Sequence, residues 1–114
     1  MNKISRNAAE HYKWKDICDG WYFVKRDDVS IIAEKMPPHT AEDMHYHTQS
    51  RQFFYVLSGE AVMKLPENEV SLCAGEGIEI PLGTPHQMTN RAYSELQFLV
   101  VSAPKSHGDK IIIS

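Results

Sequence analysis

Two histidines separated by a single residue, His45 and His47, are the first feature of the sequence that could do chemistry. On a β-strand, residues i and i+2 point to the same face about 6.6 Å apart. Two imidazoles placed in this way can share one ion, because metal–nitrogen bonds are about 2.0–2.1 Å long. The pair therefore predicts a metal site, and the alternative is that both are surface histidines flanking Tyr46.

A third histidine, His86, follows a segment rich in turn residues. Pro81 and Gly83 in that segment favour a rigid reversal of the chain, because proline fixes φ and glycine can take a positive φ. Such a reversal fixes where His86 points. On its own His86 is typical of a half-buried histidine, but together with His45 and His47 it becomes a candidate third nitrogen ligand.

The order and spacing of these residues resemble the two motifs of the cupin superfamily. The second motif, G-x5-PxG-x2-H-x3-N, is met in full, at Gly75, Pro81, Gly83, His86 and Asn90. The first motif, G-x5-HxH-x3-4-E-x6-G, is met at His45, His47 and Gly59, with His39 in place of the leading glycine and Gln52 in place of the glutamate. The resemblance implies an all-β, double-stranded β-helix (a cupin or jelly-roll barrel), with residues 1–114 as a single cupin domain.

The same resemblance implies one divalent metal ion inside the barrel, held by His45, His47, Gln52 and His86. The ion could be iron, zinc, manganese or nickel, and the sequence does not distinguish them. A glutamine oxygen is neutral and a weaker donor than a carboxylate, so the ion would bind less tightly and keep its full +2 charge toward anionic or enolate-like molecules. The alternative is that Gln52 only forms hydrogen bonds and three histidines bind the metal.

Residues two positions from a ligand on the same strand share its face. Counting from Gln52 and from His86 makes Phe54 and Met88 candidates for lining the binding pocket. Asn90 also falls on the face of His86 if the strand is regular, and the resemblance implies a structural role for it rather than ligation.

The elements that must position these residues are short strands, because turn residues interrupt the apolar pattern every eight to twelve positions. The predicted strands are 21–24, 29–36, 44–47, 52–58, 61–65, 69–72, 77–80, 86–89 and 96–102. Leu65 to Val70 reads as a hairpin turn. Near the start, Asn7 and Glu10 have the spacing of a helix cap and predict a single helical turn before Trp14.

The predicted strand 52–58 is apolar on both faces, since Phe53, Tyr55 and Leu57 lie opposite the face of Gln52. A strand covered on one side alternates apolar with polar residues, so both faces of this strand should be buried. We therefore predict a homodimer in which a second copy of the chain covers this face. The competing arrangement is that the N-terminal segment around Trp14 and Trp21 folds back over this face.

Composition excludes several classes of protein. With 114 residues, 42% hydrophobic and 24% charged, the chain has material for one core. The net charge of -3 argues against a nucleic-acid partner, and no apolar stretch approaches the roughly 20 residues that cross a membrane. Two widely spaced cysteines and no apolar N-terminal region predict a reduced, cytoplasmic protein. His11, His39 and His107 are expected at the surface, and Glu42–Asp43 on a solvated turn.

Two functions of different classes follow. The first is a metal-dependent enzyme that acts on a small organic molecule, anions included. Its chemistry would be that of a dioxygenase with iron, and that of an isomerase or lyase with zinc, manganese or nickel. The second is a cupin that binds or senses a small molecule without catalysis. Against the enzyme stands the lack of a recognisable general base or paired carboxylates, so the catalytic residues are unknown. The set of converging histidines favours the enzyme, because a protein that only binds a small molecule does not need them.

Overall fold

The computed structural model describes residues 1–113 and is built of strands throughout that range. The twelve strands are β1 (Glu10–Trp14), β2 (Cys18–Lys25), β3 (Ser30–Met36), β4 (Thr40–Ala41), β5 (His45–His47), β6 (Arg51–Ser58), β7 (Glu60–Lys64), β8 (Glu69–Cys73), β9 (Gly77–Ile80), β10 (Gln87–Asn90), β11 (Leu96–Ala103) and β12 (Lys110–Ile112). No helix in the described chain has the length and apolar character that crossing a membrane requires.

The strands form three antiparallel sheets. The largest has the order β1-β2-β3-β11-β6-β9, the second has the order β4-β10-β7-β8, and β12 pairs with β5. One apolar cluster joins the two larger sheets, with Phe54, Val56 and Phe98 from the first packed with Met63 and Met88 from the second. The sheets therefore share a single core, as a jelly roll does.

The nine strands predicted from the sequence are present, with ends shifted by a few residues at most. Three strands were not predicted. β1 carries glutamate, histidine and lysine among its five residues and β4 has only two residues, so neither shows an apolar alternation. β12 is exposed along its length and is held by pairing with β5. In each case the strand exists because a neighbour supplies a ladder of hydrogen bonds, which periodicity cannot reveal.

The turns around the site follow the predicted chemistry. Leu65 N donates to Asn68 O at 2.9 Å, which closes the predicted hairpin between β7 and β8. Gly83 takes a φ of +72° and its N–H donates to His47 O at 2.7 Å. The turn before His86 is thereby fixed to β5. Near the start, Ala9 N donates to Ser5 O in one helix-like turn, and Trp14 belongs to β1.

The prediction that both faces of β6 are buried is wrong for the single chain. Gln52, Phe54 and Val56 are buried, but Phe53, Tyr55 and Leu57 remain 41%, 37% and 44% exposed. The N-terminal segment does fold back, but elsewhere on the sheet: the Arg6 guanidinium lies 4.5 Å from the ring centre of Trp21.

Candidate metal centre

Two adjoining elements position the three histidines. His45 and His47 alternate with Tyr46 on β5, and His86 directly precedes β10. An antiparallel bridge joins them, in which His45 N donates to His86 O at 3.1 Å and His86 N donates to His45 O at 2.9 Å. Residues paired in this way project their side chains to one side of the sheet. All three side chains are almost fully buried, with exposed fractions of 3%, 5% and 0%.

The ring nitrogens of the three histidines are close enough to share an ion. One nitrogen of each lies within 4.8 Å of one nitrogen of each of the others. The Nδ1 atoms contact backbone carbonyls: Asp43 O at 2.7 Å from His45, Asp109 O at 3.2 Å from His47, and Thr84 O at 2.9 Å from His86. A carbonyl only accepts, so each Nδ1 carries the proton and each Nε2 is left with a lone pair.

These histidines are held neutral. Burial lowers the pKa of His45 to about 3 and that of His86 to about 4, with the neighbouring imidazoles and Lys110 acting in the same direction. Burial also lowers the pKa of His47. His86 Nε2 has no hydrogen-bond partner among the described residues although it is fully buried. A cluster of buried, neutral nitrogens with unused lone pairs fits a divalent transition metal.

Gln52 lies on β6 next to this cluster and is 5% exposed. Its Nε2 donates to Ser102 Oγ at 3.0 Å, and its Oε1 has no partner and no contact with solvent. The hydrogen bond to Ser102 fixes which end of the amide faces inward. Gln52 and the histidines His45 and His47 line one cavity.

Asp109 is a residue of the site that the sequence analysis did not identify. Besides its carbonyl contact to His47, its carboxylate accepts hydrogen bonds from the backbone N–H groups of Thr48, Gln49 and Ser50. Burial raises the pKa of Asp109, but these hydrogen bonds outweigh it and the pKa is lowered. Asp109 therefore fixes both the orientation of the His47 ring and the turn that follows β5. Its position just before β12, far from β5 in sequence, left no local signal.

A cavity of about 730 Å³ opens from this cluster. Of the four acidic residues that line it, Glu10, Asp27, Glu34 and Glu42, Glu34 comes from β3 and Glu42 from the segment after β4. The expectation that Glu42 lies on a solvated turn is wrong, because its Oε1 accepts the Met88 N–H at 2.9 Å inside the protein. No paired carboxylates are recognisable in the sequence, yet the fold brings Glu34 and Glu42 to one cavity. The two-residue alternation of β3 could have predicted the inward position of Glu34, since Glu34 falls between Ile32 and Met36 on the buried face.

The remaining predicted residues separate clearly. Phe54 lines the cavity, whereas Met88 is fully buried in the apolar core. Asn90 donates through Nδ2 to Met36 O at 3.0 Å and accepts Ala92 N–H, so it ties strands together.

His11, His39 and His107 are exposed and lie outside the cluster. His39 has a φ of +59°, a conformation that favours glycine, which accounts for glycine at this position of the motif.

Comparison with known proteins decides the family. The family model described as a cupin domain matches residues 33–102, which include every residue of the metal cluster. The chain belongs to the cupin family. As predicted from the two motifs, it has the double-stranded β-helix fold.

Three proteins illustrate what this cupin is similar to. An uncharacterized protein of Methanocaldococcus jannaschii, MJ1618, is 32% identical over 84 residues, covering 72% of this cupin and 67% of that protein. The oxalate-binding protein of Thermotoga maritima is 30% identical over 67 residues, covering 59% of this cupin and 55% of that protein. The crystal structure of TT1209 from Thermus thermophilus superposes with a TM-score of 0.79 at 26% identity, covering 91% of this cupin and 98% of that chain.

Proposed function

We propose that this cupin binds one divalent metal ion through His45, His47 and His86, with Gln52 as a fourth, weaker donor, and that it acts there on a small organic molecule. The observation that carries the proposal is the set of convergent Nε2 lone pairs, whose Nδ1 atoms are all committed to backbone carbonyls. When bound, the ion supplies Lewis-acid polarisation of substrate oxygens. The protein orients the ligands, and the burial of the three imidazoles limits access of water to them.

Metal analysis tests the site directly. Wild-type protein purified without added metal should carry close to one divalent ion per chain, and His86→Ala should lose it. His39→Ala is the matched control, because His39 is exposed and outside the cluster, and it should keep wild-type occupancy. Full occupancy in His86→Ala would overturn the assignment.

The proposed substrate is an anion, and Lys110 supports this. Lys110 pairs with His47 across the β5–β12 ladder, so its side chain projects to the same side and lines the cavity. Among residues 1–113, no carboxylate lies within 4 Å of its ammonium group. Lys105 also lines the cavity, but its ammonium pairs with Asp27 at 3.0 Å. An unpaired cation beside a metal site favours carboxylates or phosphates.

Calorimetric titration of the metal-loaded protein with oxalate tests anion binding. Lys110→Met should weaken oxalate binding by about tenfold or more, the factor that a charge-assisted contact of about 1.5–3 kcal/mol predicts. Lys105→Met is the control and should leave the affinity within about twofold. Equal effects of the two substitutions would show that only general charge matters.

A non-catalytic binding cupin is the second candidate, favoured by the relative whose printed name is oxalate-binding protein. The two functions separate in one experiment. The metal-loaded protein is screened with small carboxylates and sugar phosphates for thermal stabilisation and for turnover, including oxygen uptake. Stabilisation without turnover supports binding alone, and turnover that His86→Ala abolishes supports the enzyme.

We also propose a homodimer in which a second copy covers the exposed face of β6. Phe53 and Tyr55 pair across the sheet with Val101 and Leu99, so the apolar patch continues onto β11. The N-terminal segment leaves Phe53, Tyr55 and Leu57 exposed. A second copy presenting the same face is a complementary apolar occupant.

Sedimentation equilibrium at tens of micromolar tests the dimer. The wild type should sediment at twice the chain mass of 13.0 kDa. Tyr55→Glu should dissociate it while metal content stays unchanged, because Tyr55 points away from the cluster. Tyr93→Glu is the control, since Tyr93 is 91% exposed in the turn before β11. A wild-type species at the single-chain mass refutes the dimer.

A further inference from the structure

Glu34 is placed to face whatever binds in the cavity. On β3 it shares the inner face with Ile32 and Met36, and it lines the same cavity as His45 and His47. Ile32 and Met36 pack in the interior as apolar side chains do, but a carboxyl group between them on the inner face of β3 contributes nothing to apolar packing.

The cross-strand register opens space for this side chain. Gly20 on β2 lies between Tyr12 on β1 and Glu34 on β3 in one row. The Tyr12 ring occupies the space that a side chain at position 20 would fill, so it reaches across Gly20 toward Glu34. Tyr12 and Glu34 thereby form a continuous part of the cavity wall.

The carboxyl groups of Glu34 and Glu42 differ in how they are held. Glu42 accepts the Met88 N–H, which fixes its position. Within residues 1–113, the Glu34 carboxyl has neither a hydrogen bond nor an ion pair. Burial, reinforced by the charge of Glu42, raises the pKa of Glu34 to about 8, and burial raises that of Glu42 to about 7. The other titratable groups that line this cavity are Glu10, Tyr12, Tyr22, Lys25, Arg26, Asp27, His45, His47, Lys105, His107 and Lys110.

We propose that Glu34 is the acid–base residue of this cupin, and that the reaction class is proton transfer at a carbon next to a carbonyl group, as in isomerases and lyases. This inference rests on the proposed function, because the carbonyl is polarised at the metal site. Glu34 carboxylate takes the proton, the electron pair of the broken C–H bond forms a C=C bond, and the carbonyl oxygen takes the negative charge. Glu34 then returns the proton to the same carbon, or donates it to a leaving group on the next carbon that the enolate electron pair expels as the carbonyl re-forms. Where the deprotonated carbon carries a hydroxyl group, the hydroxyl proton moves to the enolate oxygen, and Glu34 protonates the former carbonyl carbon as the new carbonyl forms on its neighbour.

Exchange of carbon-bound hydrogen with deuterated water tests this role. The probes are pyruvate and 2-oxoglutarate, because each offers adjacent carbonyl and carboxylate oxygens, a C–H next to the carbonyl and an anionic group for Lys110. Proton NMR on metal-loaded wild type should show deuterium entering the carbon next to the carbonyl faster than with the free ion. Glu34→Gln should lower this rate by about 100-fold or more, the usual contribution of a general base.

Controls separate this inference from the proposed function. Glu10→Gln is matched, because Glu10 lines the same cavity but its carboxylate pairs with Lys25 at 2.9 Å, and it should exchange at the wild-type rate. Both variants should keep wild-type metal content. If Glu34→Gln fails to fold, Glu34→Asp replaces it and should reduce exchange at least tenfold, because the carboxyl moves back from the cavity.

A readout without metal or substrate completes the test. Infrared difference spectra of the metal-free protein between about pH 6.5 and 9 should show loss of protonated-carboxyl absorption from Glu34 and Glu42, and Glu34→Gln should lack the Glu34 part of that loss, the part with the higher pKa. Wild-type exchange in Glu34→Gln, or no exchange in metal-loaded wild type, overturns the acid–base role while leaving the metal site intact. Absence of metal from the wild type instead refutes the proposed function.

Discussion

His86 shows how a single residue can be buried for a reason other than packing. Its Nε2 is fully enclosed without a partner, which in a protein interior costs about 1–3 kcal/mol. A ligand on that nitrogen removes the penalty, so the site itself favours an ion. His39 makes the opposite case, because this histidine of the first motif is exposed and has a backbone conformation that favours glycine.

At the same scale, Gln52→Glu should tighten metal binding. The substitution keeps the shape of the side chain and places a negative charge where Gln52 Oε1 now lacks a partner. We expect the dissociation constant, measured by competition with a chelator, to fall about tenfold or more, since carboxylates are stronger donors than amides for divalent ions. An unchanged affinity would show that residue 52 does not reach the metal.

Asp109→Ala should loosen the site through His47. The substitution keeps the backbone carbonyl but removes the carboxylate that accepts three backbone N–H groups. Loss of groups that orient a metal ligand typically costs about 10–100-fold in metal affinity. Chelator competition should show this decrease, and Asp27→Ala, which removes only an exposed partner of Lys105, should not.

At the scale of elements, local pattern predicted most of the fold and the histidines of the candidate site. Strands such as β6 and β11 alternate strongly, and His45, His47 and His86 lie at motif spacing. The position of Glu34 in the cavity wall depends on the register between β1, β2 and β3. The position of Asp109 depends on the pairing of β12 with β5, which are distant in sequence. Pairings of that kind are set by the whole fold.

Gly20→Ala tests the register of the β1–β2–β3 row. The new methyl group would occupy the space of the Tyr12 ring, so Tyr12 must move out of the cavity wall. Overpacking of this kind costs about 1–3 kcal/mol, which urea unfolding would detect. In a Tyr12→Ala background the same substitution should cost little, because the clash is gone. A similar loss in both backgrounds would contradict the arrangement.

For the whole molecule, the buried titratable groups predict a broad stability maximum of the metal-free protein between about pH 4.5 and 6.5. The pKa values of His45 and His86, lowered to about 3 and 4, mean that the unfolded chain binds more protons below pH 6.5, so stability falls as pH decreases. The pKa values of Glu34 and Glu42, raised from 4.5 to about 8 and 7, mean that the folded chain binds more protons above pH 4.5, so this contribution to stability falls as pH rises toward 8. Between pH 4.5 and 6.5 the two effects oppose each other.

Urea unfolding between about pH 5 and 8.5 measures this profile. The alkaline slope should not exceed about 1.4 kcal/mol per pH unit for each carboxyl, and Glu34→Gln should flatten it. If Glu34→Gln leaves the alkaline slope unchanged, the slope comes from other titratable groups. The low pKa values of the histidines also imply that metal content persists well below pH 6, in contrast to a site of ordinary imidazoles.

The pairing of β12 with β5 also determines when the site can be completed during synthesis. The carbonyl that orients His47 belongs to Asp109, 62 positions further along the chain, and the partner strand of β5 begins at the next residue, Lys110. While a ribosome is still adding those residues, His45 and His47 already exist but their strand lacks one neighbour and one ring lacks its fixed orientation. The complete proposed metal site therefore forms only after residues 109–112 have been translated, so a bound ion would stabilise a β5–β12 pairing that is already in place rather than serve as an early nucleus for folding.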